Sequence, residues 1–483
     1  MSMKETKGIP YKWLALLTVS IGTFMGTLDA SIVNISFPRL TQVFETEPSV
    51  VLWVSVAYLL VSVSLMLTIG RIGDALGRKR VYILGFALFT LGLVLCSLSQ
   101  GIVQLILARI VQAVGSAMTV AFGTAIVTAA FPSEERGKAL GILGAVVSGG
   151  LLSGPVLGGF LLDVLDWRAI FYTRVPIGII GLVMAWILLK EQRESDTGLK
   201  FDLGGAVTLF TSFSCLLLFF NLGGRLGFLS PTTLILAFGT VVSLALFVVF
   251  ERRAPQPIID LNLFRNRLFT ASNISLSIMF VAMAANTFLI PFYLIDGLAH
   301  SASTTGLLLA AVPLTTLVIG PPSGWLSDKI GSRLLCTVGI TLICLALFLL
   351  SELGAESTDA DILLRLVVLG VGTGMFSSPN NSSIMGSVSR DKLSTASAMI
   401  ATGRQIGMST GIAIAGTIFT SRQAVHAIQL IHDNLEPLIL HRLSLVGGFQ
   451  DTLLVATIIC SIGIFTSLAR GKQRLNATGD TQR

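Results

Sequence analysis

The chain has 483 residues, of which 53% are hydrophobic and only 12% charged, about half the charged share of an ordinary soluble domain. Its formal net charge of +7 is spread over many short loops, so there is no single basic surface of the kind that holds nucleic acid. The composition excludes a soluble globular protein and points to repeated crossing of a hydrocarbon core about 30 Å thick.

Run length and charge punctuation predict about fourteen spans. In chain order they cover 13–34, 50–69, 81–99, 102–130, 138–162, 168–189, 203–222, 231–250, 268–295, 304–326, 334–351, 361–388, 393–421 and 447–469. Lys and Arg gather in alternate loops, among them Arg78, Lys79, Arg80, Arg136, Lys138, Arg252, Arg253, Arg265, Arg267, Arg390 and Lys392. The positive-inside rule makes that side cytoplasmic, and an even span count brings both termini there. The expected location is the inner (cytoplasmic) membrane, with many passes. The first apolar run is too long for a cleavable signal peptide and lacks a small-residue cleavage site.

After a short cytoplasmic segment, 1–12, the first span carries Asp29 in Gly26-Thr-Leu-Asp29-Ala-Ser-Ile-Val-Asn34. A carboxylate at bilayer depth is costly unless paired, protonated or hydrated. Asp29 is therefore either a proton or substrate site, the favoured reading, or half of a permanent ion pair between helices. The segment Gly70-Arg-Ile-Gly-Asp74-Ala-Leu-Gly77-Arg78-Lys79-Arg80 joins the second and third spans. Its glycines allow a tight turn, and its acid can meet a helix N-terminus or nearby bases. Bases alone would suffice as a topology signal, so the acid and glycines favour a cytoplasmic latch. The fourth span holds Arg109 and, three residues on and so on the same helix face, Gln112. Arg109 cannot deprotonate and is the expected counterpart of Asp29.

The fifth span carries Gly150, Gly154-Pro155 and Gly158-Gly159. Glycines four apart let helices approach closely, and an internal proline removes a backbone bond. Gating and plain packing are equally open readings. Arg174, about two turns into the sixth span, has two readings: a pair with Asp163, Asp166 or Asp296, which is favoured, or contact with an anionic group. The segment 201–253 reads as an inserted, lipid-facing pair of spans.

A weaker copy of the hinge, Gly324-Trp-Leu-Ser-Asp328-Lys-Ile-Gly331-Ser-Arg333, follows 254 positions after the first. The repeat predicts two six-helix bundles, 13–190 and 268–469, around a linker of 191–267 that holds the inserted pair. A cytoplasmic tail, 470–483, ends the chain. Asn380 and Asn381 after Pro379, and Arg404 with no acid in view, are candidates for the second half of a substrate cavity, alongside Asn34, Gln112 and Arg174 in the first. Arg404 is expected to be buried. The stretch 422–448 reads as a long external loop whose Val425, Ile428, Ile431 and Leu435 recur at helical spacing, an amphipathic surface helix. An inert interfacial helix is favoured there over a docking site for an external partner at 422–447, and the chain is expected to be monomeric.

Cys96, Cys215, Cys336, Cys344 and Cys460 fall in spans without metal or redox spacing. Nucleotide-loop, zinc-protease and serine-elbow motifs are missing. No metal, no cofactor and no enzyme activity are expected.

These motifs, in this order and across nearly the whole length, resemble the fourteen-helix drug:proton antiporters of the major facilitator superfamily. Gly70–Arg80 is similar to the family's cytoplasmic signature, Leu28–Pro38 to its first-helix motif, Arg109–Gly115 to its fourth-helix motif, and Gly150 through Gly159 to its antiporter motif. The resemblance implies an all-α membrane protein exporting small molecules by alternating access, driven by the proton gradient. It implies proton coupling for Asp29 and Arg109, gating for Gly154 and Pro155, and a latch role for Asp74 and Arg78. Arg174 departs from the family pattern, which commonly has a neutral polar residue there. One deep acid among three arginines suits a neutral lipophile, an anionic compound or a lipid better than a dication. The leading expectation is proton-coupled export of amphiphilic drugs or lipophiles. Export of a native lipid or anionic metabolite is the alternative, and a non-transporting scaffold or receptor the second alternative, disfavoured by the intramembrane charge pair.

Overall fold

The computed structural model describes residues 10–62, 65, 77–132, 135–191, 203–254, 261–388, 393–431 and 436–470, and all regular structure among them is helical. The principal helices are α1 (Tyr11–Ile32), α2 (Pro48–Ser62), α3 (Arg78–Leu98), α4 (Ile102–Ala130), α5 (Arg136–Val164), α6 (Val175–Leu188) and α7 (Leu203–Leu226). They continue with α8 (Pro231–Arg253), α9 (Arg267–Phe292), α10 (Ala311–Ile330), α11 (Ser332–Ser351), α12 (Asp359–Gly386), α13 (Leu393–Leu430) and α14 (Pro437–Leu468). Among the described residues, 11 helical segments are long and apolar enough to cross a membrane. The other three predicted spans fall on the shorter apolar stretches Pro48–Ser62 and Gly204–Phe220 and on α13, a helix of 38 residues.

Local chemistry sets the helix starts. Asn266 caps α9 by accepting from the Leu268 and Phe269 amides at 3.0 and 3.3 Å, and Thr358 caps α12 through the Asp361 amide. Asp359 and Asp361 lie in the first turn of α12, where the helix dipole favours them. Helices suit a hydrocarbon solvent because every interior backbone group is bonded within its own segment. Accordingly, α8 turns Leu234, Ile235, Phe238 and Val241 outward.

The described residues form two compact units. One runs to Phe213 and adds Ser243–Phe250 and Ala254; the other takes Ser214–Val242, Glu251–Arg253 and the described residues from Leu261 on. Each unit is held by the same two glycine seams. In the first, Gly85 of α3 meets Gly115 of α4: a Cβ on Gly85 would lie 3.0 Å from the Gly115 carbonyl oxygen. In the second, a Cβ on Gly339 of α11 would lie 2.9 Å from the Gly372 carbonyl oxygen of α12. Gly150, Gly154 and Gly158 of α5 lie against Thr27–Leu28, Ser31–Ile32 and Ile32–Ile35 of α1. Gly403, Gly407 and Gly411 of α13 do the same against Leu276–Ser277, Ser277–Val281 and Val281–Ala284 of α9. Positive backbone angles recur as well, at Gly77 (φ 101°) before α3 and Gly331 (φ 88°) before α11, a region open to glycine at little cost. The duplication legible at the hinges therefore extends to the packing.

The stretch 422–448 differs from expectation. No separate surface helix begins near 422: α13 continues unbroken to Leu430, and α14 starts at Pro437. The stretch between Thr417 and Glu436 has no Gly or Pro to stop α13. Its end is also tied to α14, because Arg422 Nε and His426 Nε2 both meet the Asp451 carboxylate, at 2.6 and 2.8 Å. His432, Asp433 and Leu435 lie outside the described residues.

Candidate functional site: a buried carboxylate between two arginines

Asp29 stands on α1 between the two residues that receive the α5 glycines, with no exposed surface. Its Oδ2 accepts from Arg109 Nη1 at 2.6 Å, and its Oδ1 accepts from Arg174 Nη1 at 2.6 Å and Gln112 Nε2 at 2.9 Å. Arg109, Gln112 and Arg174 are themselves at most 2% exposed. A buried carboxylate is tolerable only when donors replace the lost water, and here three side chains from two further segments supply them.

The fourth-helix residues act as one unit. Arg109 and Gln112 are one turn apart, so both reach Asp29, and Arg109 Nη1 also donates to Gln112 Oε1 at 2.6 Å. α2 completes the arginine's shell: Arg109 Nε donates to the Val54 carbonyl at 3.2 Å, and the guanidinium lies 4.1 Å from the Tyr58 ring centroid. Tyr58 is anchored in turn by its hydroxyl on Ser116 at 2.7 Å. The sequence reading missed Tyr58. Its signal was an aromatic residue one turn after Val54 in an apolar run, which by itself does not distinguish a cation platform from core packing.

Arg174 corrects an expectation. Its partner is Asp29, on the first helix, and not Asp163, Asp166 or Asp296. Asp166 is engaged by Arg168 at 2.9 Å. The chain breaks between the short turn Ala169–Tyr172 and α6, with Pro176 in the first helical turn. That break aims Arg174 inward, where its Nε also donates to the Ile170 carbonyl at 2.6 Å.

The glycine motif of α5 borders this cluster. Side chains on Gly150 or Gly154 would collide with Thr27 or Ser31, on either side of Asp29 along α1. Ser31 Oγ donates to the Gly150 carbonyl at 3.3 Å, and Gly154, Pro155, Gly158 and Gly159 are all buried. Asn34, in the 3-10 turn just past α1, is buried but donates to the Ala30 carbonyl at 3.2 Å and, among the described residues, makes no bond to the cluster.

At the two hinges, Gly70 and Asp74 lie outside the described residues, as does the side chain of Asp328. Gly77 and Arg78 open α3, and Glu191, just past α6, occupies the space beside Gly77. Glu191 accepts from the Lys79 amide at 3.3 Å and lies 3.7 Å from Arg80 Nε. A carboxylate at a helix N-terminus is a favourable partner, and the sequence reading did not single it out. Gly331 and Arg333 take the corresponding places at the start of α11, with Arg333 exposed.

In the second unit Asn380 is fully buried with neither amide atom partnered, and Asn381 Oδ1 is likewise unpartnered among the described residues. Arg404 is exposed, where burial was expected.

The chain matches the model of the Major Facilitator Superfamily over residues 19–412. It is 38% identical over 408 residues to the riboflavin transporter RibZ of Clostridioides difficile, covering 84% of this chain and 88% of that protein. It is 30% identical over 409 residues to the multidrug resistance protein Stp of Mycobacterium tuberculosis, covering 84% and 76%. Among solved structures it resembles a bacterial homologue of the human lysosomal transporter Spinster, in an inward-facing, unoccupied conformation, with TM-score 0.69 and 13% identity over 96% of this chain and 98% of that one. The nucleoside transporter NupG is similar at TM-score 0.64 and 10% identity, over 95% and 100%. With eleven membrane-length helices among its described residues, the shared fold and a family match over most of its length, the chain belongs to the major facilitator superfamily of membrane transporters.

Proposed function

We propose that this transporter exports amphiphilic small molecules in exchange for protons, by alternating access across the cytoplasmic membrane. In this reading the chain works as a monomer, with both termini cytoplasmic and fourteen spans: two six-helix bundles and an inserted pair. Asp29 and Arg109 couple the proton, and Asn34, Gln112, Arg174, Asn380, Asn381 and Arg404 line the path of the cargo. Gly150, Gly154, Pro155, Gly158 and Gly159 gate it, and the two hinges latch the cytoplasmic face.

The observation that carries the reading is the fully buried Asp29 held by donors from α4 and from the break before α6. A proton arriving on Asp29 removes the charge that both guanidiniums grip, loosening α1 from two neighbours at once. Its departure restores the grip. Coupling of this kind needs a group whose two protonation states favour two arrangements of the helices.

The test uses inverted membrane vesicles with an acidic interior and a panel of fluorescent lipophiles. Wild type should accumulate at least one of them, and collapsing the gradient should release it; Asp29→Asn should reduce accumulation to background. Accumulation indifferent to the gradient, or unchanged in Asp29→Asn, overturns the coupling.

A second reading rests on the 38% identity to a riboflavin transporter: carriage of riboflavin itself. Radiolabelled riboflavin in the same vesicles separates the two. Export of a native lipid or anionic metabolite is the remaining alternative, favoured by the two arginines beside one acid.

A further inference from the structure

The cluster at Asp29 is not balanced. One carboxylate faces two guanidiniums, all three groups enclosed, so one positive charge is left over. The hydrogen bonds show where. Asp29 spends both oxygens, and the Gln112 carboxamide is turned with its oxygen to Arg109 and its nitrogen to Asp29. Arg174 uses Nε and Nη1, while its Nη2 is enclosed and has no acceptor among the described residues.

The surroundings add to this charge. Arg174 stands at the N-terminus of α6, a helix of 14 residues whose dipole is positive there. Two other enclosed side-chain groups among the described residues of the first unit lack partners. They are the Trp167 indole N–H, on the same connecting stretch, and the Thr90 hydroxyl, which abuts Gly178 one turn into α6. All three can donate. The stretch from Trp167 to Gly178 is thus short of acceptors while carrying a surplus positive charge.

We propose that Arg174 Nη2 is the anchor of an anion subsite, which takes the carboxylate or phosphate of the transported molecule. The inference deepens the transport reading and rests on it. The anion supplies both the missing acceptor and the missing negative charge, in a charge-assisted bond stronger than a neutral one. Nη2 is enclosed in this arrangement, so the anion reaches it when the surrounding helices part. Asp29 and the cargo then share the two arginines: whenever the carboxylate is neutralised by a proton, the cargo's anion takes its place as the negative charge beside Arg174.

The test measures equilibrium binding to the purified full chain in phosphatidylcholine nanodiscs, using two matched pairs. 1-Naphthyl phosphate against 1-naphthol probes a soluble anion, and dihexanoyl phosphatidic acid against dihexanoyl phosphatidylcholine probes a lipid headgroup. Wild type should prefer the anion in at least one pair by tenfold or more, and the pair that responds identifies the source. Arg174→Asn should lose that preference and Arg174→Lys should recover part of it, at matched thermal stability. Equal affinity within both pairs in wild type overturns the proposal, and needs no variant to fold. A preference undiminished in Arg174→Asn overturns it too, leaving Arg174 a structural counter-charge only. Binding is read without any gradient, so failure here leaves the vesicle result standing. Conversely, a wild type that binds anions but moves no lipophile removes the exporter reading and keeps the subsite.

Discussion

The two units share their seams and differ in what the seams enclose. Alignment on the packed glycines sets Gly150–Gly154 beside Gly403–Gly407, Gly85 beside Gly339, and Gly115 beside Gly372. On that frame the counterpart of Asp29 is Ile278, and those of Arg109 and Gln112 are Leu366 and Leu369. On α14, where Cys460 lies near Cys344 much as Gly178 lies against Thr90, and Gly463 meets Ile340 as Gly181 meets Phe86, the counterpart of Arg174 is Ala456. Every member of the charged cluster is apolar in the second unit. The scaffold therefore stands without the charges. Burying them costs desolvation energy that well-packed apolar residues avoid, so their presence in one unit calls for a functional explanation.

The sharpest way to break the comparison is to write the second unit's residues into the first. Asp29→Ile alone strands two enclosed guanidiniums and should cost about 3–5 kcal/mol, the usual penalty for breaking a buried pair. It should appear as a large drop in melting temperature. Adding Arg109→Leu, Gln112→Leu and Arg174→Ala should recover most of that loss, while gradient-driven accumulation stays absent. If the fourfold variant melts as low as the single one, the cluster is holding the fold together and the argument from the second unit fails.

Next in size are the seams. Gly150→Ala drives a methyl into Thr27, and overpacking of this kind costs about 1–3 kcal/mol. At its counterpart, Gly403→Ala meets the Ser277 hydroxyl at 3.2 Å and Leu276 Cδ2 at 3.7 Å, and should cost less than half as much by thermal unfolding. Equal losses would mean that the α1–α5 seam is no tighter than its counterpart.

The smallest effect separates the hinges. Gly77→Ala and Gly331→Ala each force an L-residue into positive φ, at about 1–2 kcal/mol. Nothing lies within 4 Å of a Cβ at Gly331, whereas Glu191 fills the space at Gly77. Gly77→Ala should therefore be the more damaging, and Glu191→Ala in the same chain should narrow the gap. The Glu191–Arg80 contact itself is partly exposed and should contribute less than about 1 kcal/mol, seen as a small, salt-sensitive shift in melting temperature. A gap that persists without Glu191 would assign the difference to the undescribed part of the first hinge.

Much of this was legible in the chain. Asp29 was conspicuous because an acid in an apolar run has few bland explanations, and Arg109 with Gln112 followed from a shared helix face. The glycine motif announced close helix contact, which the structure locates on α1. Two errors share a cause. The partner of Arg174 lies 145 positions away, and the end of α13 is tied down by Asp451, 29 positions from Arg422. Neither link leaves a local trace, because each depends on which way a helix end points after the chain has packed. Glu191 escaped notice for the same reason, being an unremarkable acid in a polar linker until α6 brings it to Gly77.

By itself the sequence determined the solvent, the helical class, the internal duplication and the identity of the one deep acid. These follow from composition and from the energy of polar groups in hydrocarbon, which act residue by residue. Only the tertiary structure decided that this acid is shared by two arginines, and that among the described residues one of their donors is left unanswered and the second unit holds apolar residues at the matching places. Charge balance inside a protein is a sum over neighbours, and the fold chooses the neighbours.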